Sequence, residues 1–205
     1  GRSATAGMVL VAHPARKVNT LQEFVAAARA APGKYSYASA GPGTTHHMMM
    51  ELLKHVAKLH IVHIPYRGPS PILPDLLENR VNAAFIASPA AVVHVPSGRV
   101  KALAVAGERR LPQFPDVPTV AEAGYKAFDP VLWYGMFAPA GVPPEVAAQL
   151  DRDLQAVVGS PKVVETLRNV GIDAAAMEST AFRRFVSSDL QRYQKLVKDT
   201  GITAE

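Results

Sequence analysis

A chain of 205 residues, 48% hydrophobic, can bury a sizeable core, and with no cysteine it can form neither a disulfide nor a thiolate metal site. There is no run of about 18 apolar residues, and Gly1–Leu10 lacks the basic-then-apolar order of a secretory signal, so a signal would have to lie outside this chain. The net charge of +5 is uneven: Gly1–Val131 holds 14 Lys/Arg against 8 Asp/Glu, and Leu132–Glu205 holds 8 against 9. Such a field steers small anions. Nucleic acid is disfavoured because no basic run exceeds Arg109-Arg110 and neither a zinc pattern nor an RNP-type aromatic motif is present.

In chain order, Met8–Ala12 reads as a buried strand. Asn19-Thr20 caps an amphipathic helix carrying Leu21, Phe24, Val25 and Ala28, which stops at Pro32-Gly33. The strand Tyr35–Ala38 follows, then a glycine-rich turn and a helix over His46–Lys58. Ile61–Ile64 is a short strand leading into Pro65–Pro71 and a helix over Ile72–Glu78. Val81–Ile86 predicts a strand, Pro89–Val95 a short helix and Ala102–Ala106 a further strand, an alternation that points to an α/β sheet with crossover connections. Glu108–Pro118 loses periodicity and reads as a loop before a short helix over Thr119–Ala123. Leu132–Ala138 predicts a strand with the only tryptophan, Trp133. Three helices close the chain: one from Pro143-Pro144 through Val158, one over Pro161–Val170, and one over Thr180–Lys198. In the last, Phe182, Phe185, Val186, Leu190, Tyr193, Leu196 and Val197 recur at helical spacing as one packing face.

The stretch Tyr37-Ala-Ser-Ala-Gly-Pro-Gly-Thr-Thr-His-His-Met-Met-Met50 carries the chemistry. Gly41 and Gly43 let backbone amides converge, Thr44 or Thr45 can cap the helix, and the positive end of the helix dipole faces the turn. This is a seat for a carboxylate or phosphate. It fits no nucleotide fingerprint, since there is no G-x-G-x-x-G and Lys54 lies well inside the helix. In α/β sheets ligands bind beyond the carboxyl ends of strands, and three such places occur: Ser39–Thr45, Tyr66–Ser70 with Arg67-Gly68, and Ala87–Ala90 with Ser88. Pro65–Pro71 also reads as a plain rigid turn, Arg67 as a solvent-facing cation and Tyr66 as a packing phenol. Neighbouring His46 and His47 point about 100° apart on a helix and do not share a metal, so His46 reads as a structural or ligand-facing residue and no metal or cofactor is expected. Met48–Met50 reads as core packing with one residue turned outward. Ser39 beside His46 or His47 is a conceivable dyad, but no acid completes it and no G-x-S-x-G exists, so an enzyme is not expected.

The order of motifs resembles a known family. Tyr37-Ala-Ser-Ala-Gly-Pro-Gly-Thr-Thr-His-His, His63-Ile-Pro-Tyr-Arg-Gly-Pro-Ser-Pro71, Lys101-Ala-Leu-Ala-Val105, Pro115-Asp-Val-Pro-Thr-Val-Ala-Glu-Ala-Gly124 and Trp133-Tyr-Gly-Met-Phe-Ala-Pro-Ala-Gly141 look like successive signatures of Bug-type extracytoplasmic receptors of tripartite tricarboxylate transporters. The resemblance implies an α/β fold of the periplasmic-binding-protein type II (Venus flytrap) architecture. It implies a periplasmic location, a small carboxylate ligand (dicarboxylate, tricarboxylate or acidic amino acid) and membrane permease subunits as partners. Carried onto this sequence, Ser39, Gly41, Gly43, Thr44, Thr45 and His46 would line the second-lobe side of the cleft, with Tyr66, Gly68, Ala87 and Ser88 nearby. Met8–Ala12 and Trp133–Ala138 would cross between lobes.

The resemblance implies family members of about 300 residues, with this chain beginning roughly a third of the way in. The alignment implies a hinge strand and first-lobe remnant over 1–12, a complete second lobe over 13–130, and the hinge return with part of the first lobe over 131–205. An incomplete first-lobe sheet exposes backbone and apolar surface, and predicts a homodimer, a domain swap or a completing segment elsewhere. Two other readings stand beside the receptor: a truncated fragment with little ligand binding, and the effector domain of a transcription regulator, against which the lack of a helix-turn-helix segment argues.

Overall fold

The computed structural model describes residues 1–107, 109–125 and 132–201. β1 (Arg2–Ala6) and β2 (Met8–Ala12) are separated by Gly7 alone, yet they enter different sheets. A single 3-10 turn (Pro14–Arg16) leads to α1 (Leu21–Ala30), β3 (Ser36–Ser39), α2 (Thr45–Ala57), β4 (Val62–Pro65), α3 (Ile72–Leu77), β5 (Ala83–Ala87), α4 (Ser88–His94) and β6 (Lys101–Ala106). After the described residues resume come β7 (Leu132–Gly135), α5 (Pro144–Val158), α6 (Pro161–Asn169), β8 (Ile172–Met177) and α7 (Ser179–Thr200).

The larger sheet has the order β4-β3-β5-β2-β6, with β3, β4 and β5 parallel and β2 antiparallel to both its neighbours. It is therefore mixed, where simple alternation predicts parallel crossovers. The reason is that β2 comes directly from the other sheet across Gly7 instead of through a helix. The unbroken apolar run of β2 suits a central strand covered on both faces. Met8, Leu10 and Ala12 pack with Leu21, Phe24 and Val25 of α1 and Met49, Met50 and Leu53 of α2. Val9 and Val11 face the other way, onto Ile72 and Leu76 of α3, Ala91 of α4, and Leu111 and Phe114. Met48, Met49 and Met50 are all buried, so none turns outward as the sequence suggested.

The smaller sheet is antiparallel, ordered β7-β1-β8. Trp133 donates its indole N–H to Asp189 Oδ2 at 2.8 Å, and its ring meets Phe182 edge-on at 5.4 Å and Phe185 at 5.8 Å. The predicted packing face of α7 holds only in part, because Leu190 is exposed while Phe182 is buried. At the other end of the same helix, Leu196 packs against the core of the larger lobe.

Three expectations are corrected by pairing. Met8–Ala12 does not cross between sheets: all of it pairs with β5 and β6, and the change of sheet falls at Gly7, where a Cβ would sit 2.8 Å from Leu111 Cδ2. The strand at Trp133 ends at Gly135, and Met136 and Phe137 beyond it are exposed. Thr119–Ala123 forms no helix. Thr119 and Glu122 exchange capping hydrogen bonds at 2.7 and 3.0 Å, but Thr119 bridges to Val105 and Gly124 stops the turn at a φ of 105°. The expected end of the second lobe at 130 and the start of the hinge return at 131 lie outside the described residues.

Candidate functional site

Because β3, β4 and β5 are parallel neighbours, their carboxyl ends lie along one edge of the larger sheet. Two of the three predicted places are stitched together there. Tyr66 N–H donates to Ser39 O at 2.9 Å, and Gly68 N–H donates to Ala40 O at 3.2 Å. Gly41, at a φ of 119°, passes so close to Tyr66 O that a Cβ would lie 3.3 Å away. Glycine is required at this point by both conformation and space.

Inside the turn the polar groups are already engaged. Ser39 is fully buried, and its Oγ accepts from Gly41 N–H at 3.1 Å and lies 2.6 Å from His63 Nε2. Its histidine neighbour is thus His63 and not His46 or His47. Gly43 N–H donates to His47 Nδ1 at 3.1 Å. Thr44 occupies the N-cap position of α2 without capping it: its Oγ1 donates to Gly41 O at 2.7 Å. The Thr45 side chain adjoins the Tyr193 phenol of α7. The first turn of α2, with the amides of Thr45 to His47, has no side-chain cap, and His46 within it is half-buried. Burial holds the His46 imidazole below its ordinary pKa, so it is neutral at pH 7.

Beneath the loop lies a group that sequence reading did not assemble. The parallel register pairs Tyr37 with His63, and their rings stack at 4.7 Å. His47 from α2 stacks on His63 at 4.3 Å. Tyr37 donates to Glu51, which also holds Lys54 Nζ at 2.6 Å. Desolvation first, and His47 second, lower the His63 pKa to about 4. The signal was present as Tyr37, Ser39 and His63, but only the strand register puts them on one face. Among the described residues no group of three or more His, Cys, Asp or Glu is placed to hold a metal ion.

Tyr66 donates its hydroxyl to Asp75 Oδ2, and burial with that bond raises its pKa to about 12. Arg67 is exposed. Ala87 pairs with Met8, and Ser88 N–H donates to Gly7 O at 2.9 Å, so this third place adjoins the point where the chain changes sheet. Ser88 is fully buried and donates its hydroxyl to Gly171 O of the smaller lobe at 2.5 Å. Two cavities lie elsewhere. One of about 450 Å³ sits at the sheet crossing between Gly7, Gly107, Arg109 and Asp173; another of about 780 Å³ runs between Phe137, Leu150 and Phe182.

Comparison with known proteins identifies the family. Residues 2–202 match the family model described as the tripartite tricarboxylate transporter family receptor, TctC. A protein from Pseudomonas sp. strain P51, encoded in the tcbD-tcbE intergenic region, is 36% identical over 98% of this chain; the chain spans 60% of that relative's length. The solved structure of R. palustris Rpa4515 with adipate superposes with a TM-score of 0.94 at 29% identity, over 98% of this chain and 68% of that one. MatC (Rpa3494) from Rhodopseudomonas palustris with bound malate gives 0.85 at 26% identity, over 95% of this chain and 67% of that one. The architecture is one complete periplasmic-binding-protein lobe plus part of the second, and the chain belongs to the Bug-type, TctC family of tripartite tricarboxylate transporter receptors.

Proposed function

We propose that this chain is the solute-capturing part of a periplasmic receptor that takes a small dicarboxylate and passes it to the permease subunits of a tripartite tricarboxylate transporter. The observation that carries the reading is the pre-shaped turn at the sheet edge. Its hydroxyls and the Gly41 and Gly43 amides are spent on holding the loop, which leaves the uncapped first-turn amides of α2 to receive an anion, with His46 in that same turn. Backbone amides at a helix N-terminus hold a carboxylate without a buried cation. Ser39, Gly41, Gly43 and Thr44 then act as the frame of the seat, Thr45 and His46 as its lining, and Tyr66 and Gly68 as its buttress. Ser88 and Ala87 serve the joint between lobes. The relatives solved with adipate and with malate support the ligand class.

Isothermal titration calorimetry with adipate, malate, citrate and glutamate tests the proposal. Saturable heat from at least one acid, abolished by His46→Asp, supports it. Silence across the panel from a folded protein overturns it in favour of a fragment without ligand binding, a reading that the exposed Phe137, Met136 and Leu150 beside the larger cavity favour.

A further inference from the structure

The glycine turn is held from below by two imidazoles, and that arrangement has a chemical consequence. His47 is 5% exposed, and its Nδ1 accepts the Gly43 amide hydrogen. An imidazole nitrogen accepts only when it carries no proton, so this bond requires the neutral ring in its Nε2–H form. The neighbouring His63 stands in the same position toward Gly41, one atom removed, through Ser39 Oγ. We propose that His47 is the positioning residue of this loop: the neutral ring pins the Gly43 amide in the receptive shape, and protonation releases the loop and weakens carboxylate binding as the pH falls.

The groups facing His47 come from each element packed on it. Tyr37 is on β3, with ring centroids 6.5 Å apart, and His63 is on β4. Glu51 and Lys54 lie one and two turns along α2 and are paired with each other at 2.6 Å. Two opposing effects follow a proton onto His47. A new positive charge attracts an anion, but it also turns Nδ1 into a donor set 3.1 Å from another donor, the Gly43 amide. Two donors cannot share that distance, so the loop moves and the seat loses its geometry, which is why the sign is a loss of binding. The stacked His63 ring at 4.3 Å resists a second charge, so the two rings take up their protons in sequence. Burial lowers the pKa of both imidazoles, which sets the transition in the acid range below their ordinary value of 6.5.

The inference rests on the carboxylate-binding reading for its consequence, but its mechanism is tested without ligand. In the ligand-free protein, nitrogen-15 NMR at neutral pH should show His47 with an unprotonated Nδ1, and the Gly43 amide proton should step upfield together with His47 as the pH falls. His47→Asn supplies an amide oxygen close to the place of Nδ1 that does not titrate. It should keep the Gly43 amide at its parental position and remove the step, whereas His47→Phe should displace that resonance at every pH. With adipate as probe, affinity in the parent should fall about tenfold across the step and stay flat in His47→Asn. A protonated Nδ1 in the neutral parent overturns the proposal, as does a Gly43 resonance unmoved by His47→Phe or a step that persists in His47→Asn. The parent titration alone decides if either variant fails to fold. If the NMR results hold while none of adipate, malate, citrate and glutamate gives heat, the carboxylate reading fails and the loop mechanism stands.

Discussion

Replacing Ser88 with alanine removes the hydroxyl that joins the two lobes beside the sheet crossing. Ser88 Oγ donates to Gly171 O at 2.5 Å from a site with no solvent exposure, and Gly171 is so close that a Cβ on it would lie 3.0 Å from Ser88 Cβ. Alanine leaves the Gly171 carbonyl without this donor in a place water reaches poorly, a loss of about 1–3 kcal/mol. Alanine's better helix propensity at the first position of α4 returns up to about 0.5 kcal/mol, so the net expectation is about 0.5–3 kcal/mol. Urea unfolding at pH 7 measures it. With a slope of about 2–3 kcal/mol per molar for a chain of this size, the midpoint should fall by about 0.2–1.5 M. Two probes divide the effect. Trp133 fluorescence reports the smaller lobe, and far-ultraviolet circular dichroism reports the whole chain. If the contact couples the lobes, the fluorescence transition should separate from the dichroism transition and move to lower urea in the variant. A midpoint within about 0.1 M of the parent, with the transitions as coincident as before, would refute the reasoning.

Gly135→Ala places a methyl 2.4 Å from Phe182 Cζ, inside the ring cluster around Trp133, and should cost about 1–3 kcal/mol with a changed Trp133 emission maximum. Gly41→Ala meets both a φ of 119° and Tyr66 O at 3.3 Å, whereas Gly98→Ala at a φ of 71° meets nothing within 4 Å; the first should lose more stability in urea than the second. Asp151→Asn weakens the cap on α7, whose start is held by Asp151 Oδ2 accepting from Ser179 N–H at 3.0 Å and Ser179 Oγ at 2.8 Å; about 1 kcal/mol should be lost at pH 7 in urea unfolding. These bonds to Ser179 hold the Asp151 carboxyl below its ordinary value of 3.8. Its stabilising contribution is present above that value and lost as the pH falls through the lowered one, so acid unfolding of the variant should be shallower in that range.

The larger lobe was legible because its periodicities are local. Leu21, Phe24, Val25 and Ala28 mark α1 and lie buried, and the run Met8–Ala12 is buried along its whole length. What could not be read is what depends on distant pairing. β8, with its alanine-rich Ile172–Met177, carries little strand signal and exists because β1 lies beside it. Arg2–Ala6 was silent for the same reason. At the site, the glycine turn and its three strand ends were placed by local rules, but the partners of Ser39, Gly43 and Ser88 come from His63, His47 and Gly171, and hydrogen-bond assignments across 24 and 83 residues have no local mark. The hydroxyls singled out as ligand contacts turned out to have bonds within the protein for that reason.

The single-residue passage at Gly7 also sets an order of assembly. β2 finds its partners by residue 106, so the larger sheet can close while the rest of the chain is still being made. β1 has no such option: Ala6 pairs with Leu132 and Ile172, and Arg2 reaches Met177. Contacts of this sequence separation form late, because their loops must close before the pairing rewards them. A strand made before the larger sheet thus meets β7 and β8 only after that sheet has closed. Chaperone dependence and aggregation during synthesis are expected to concentrate on these few residues, and slowing translation after β6 should lengthen that exposure without harming the larger lobe.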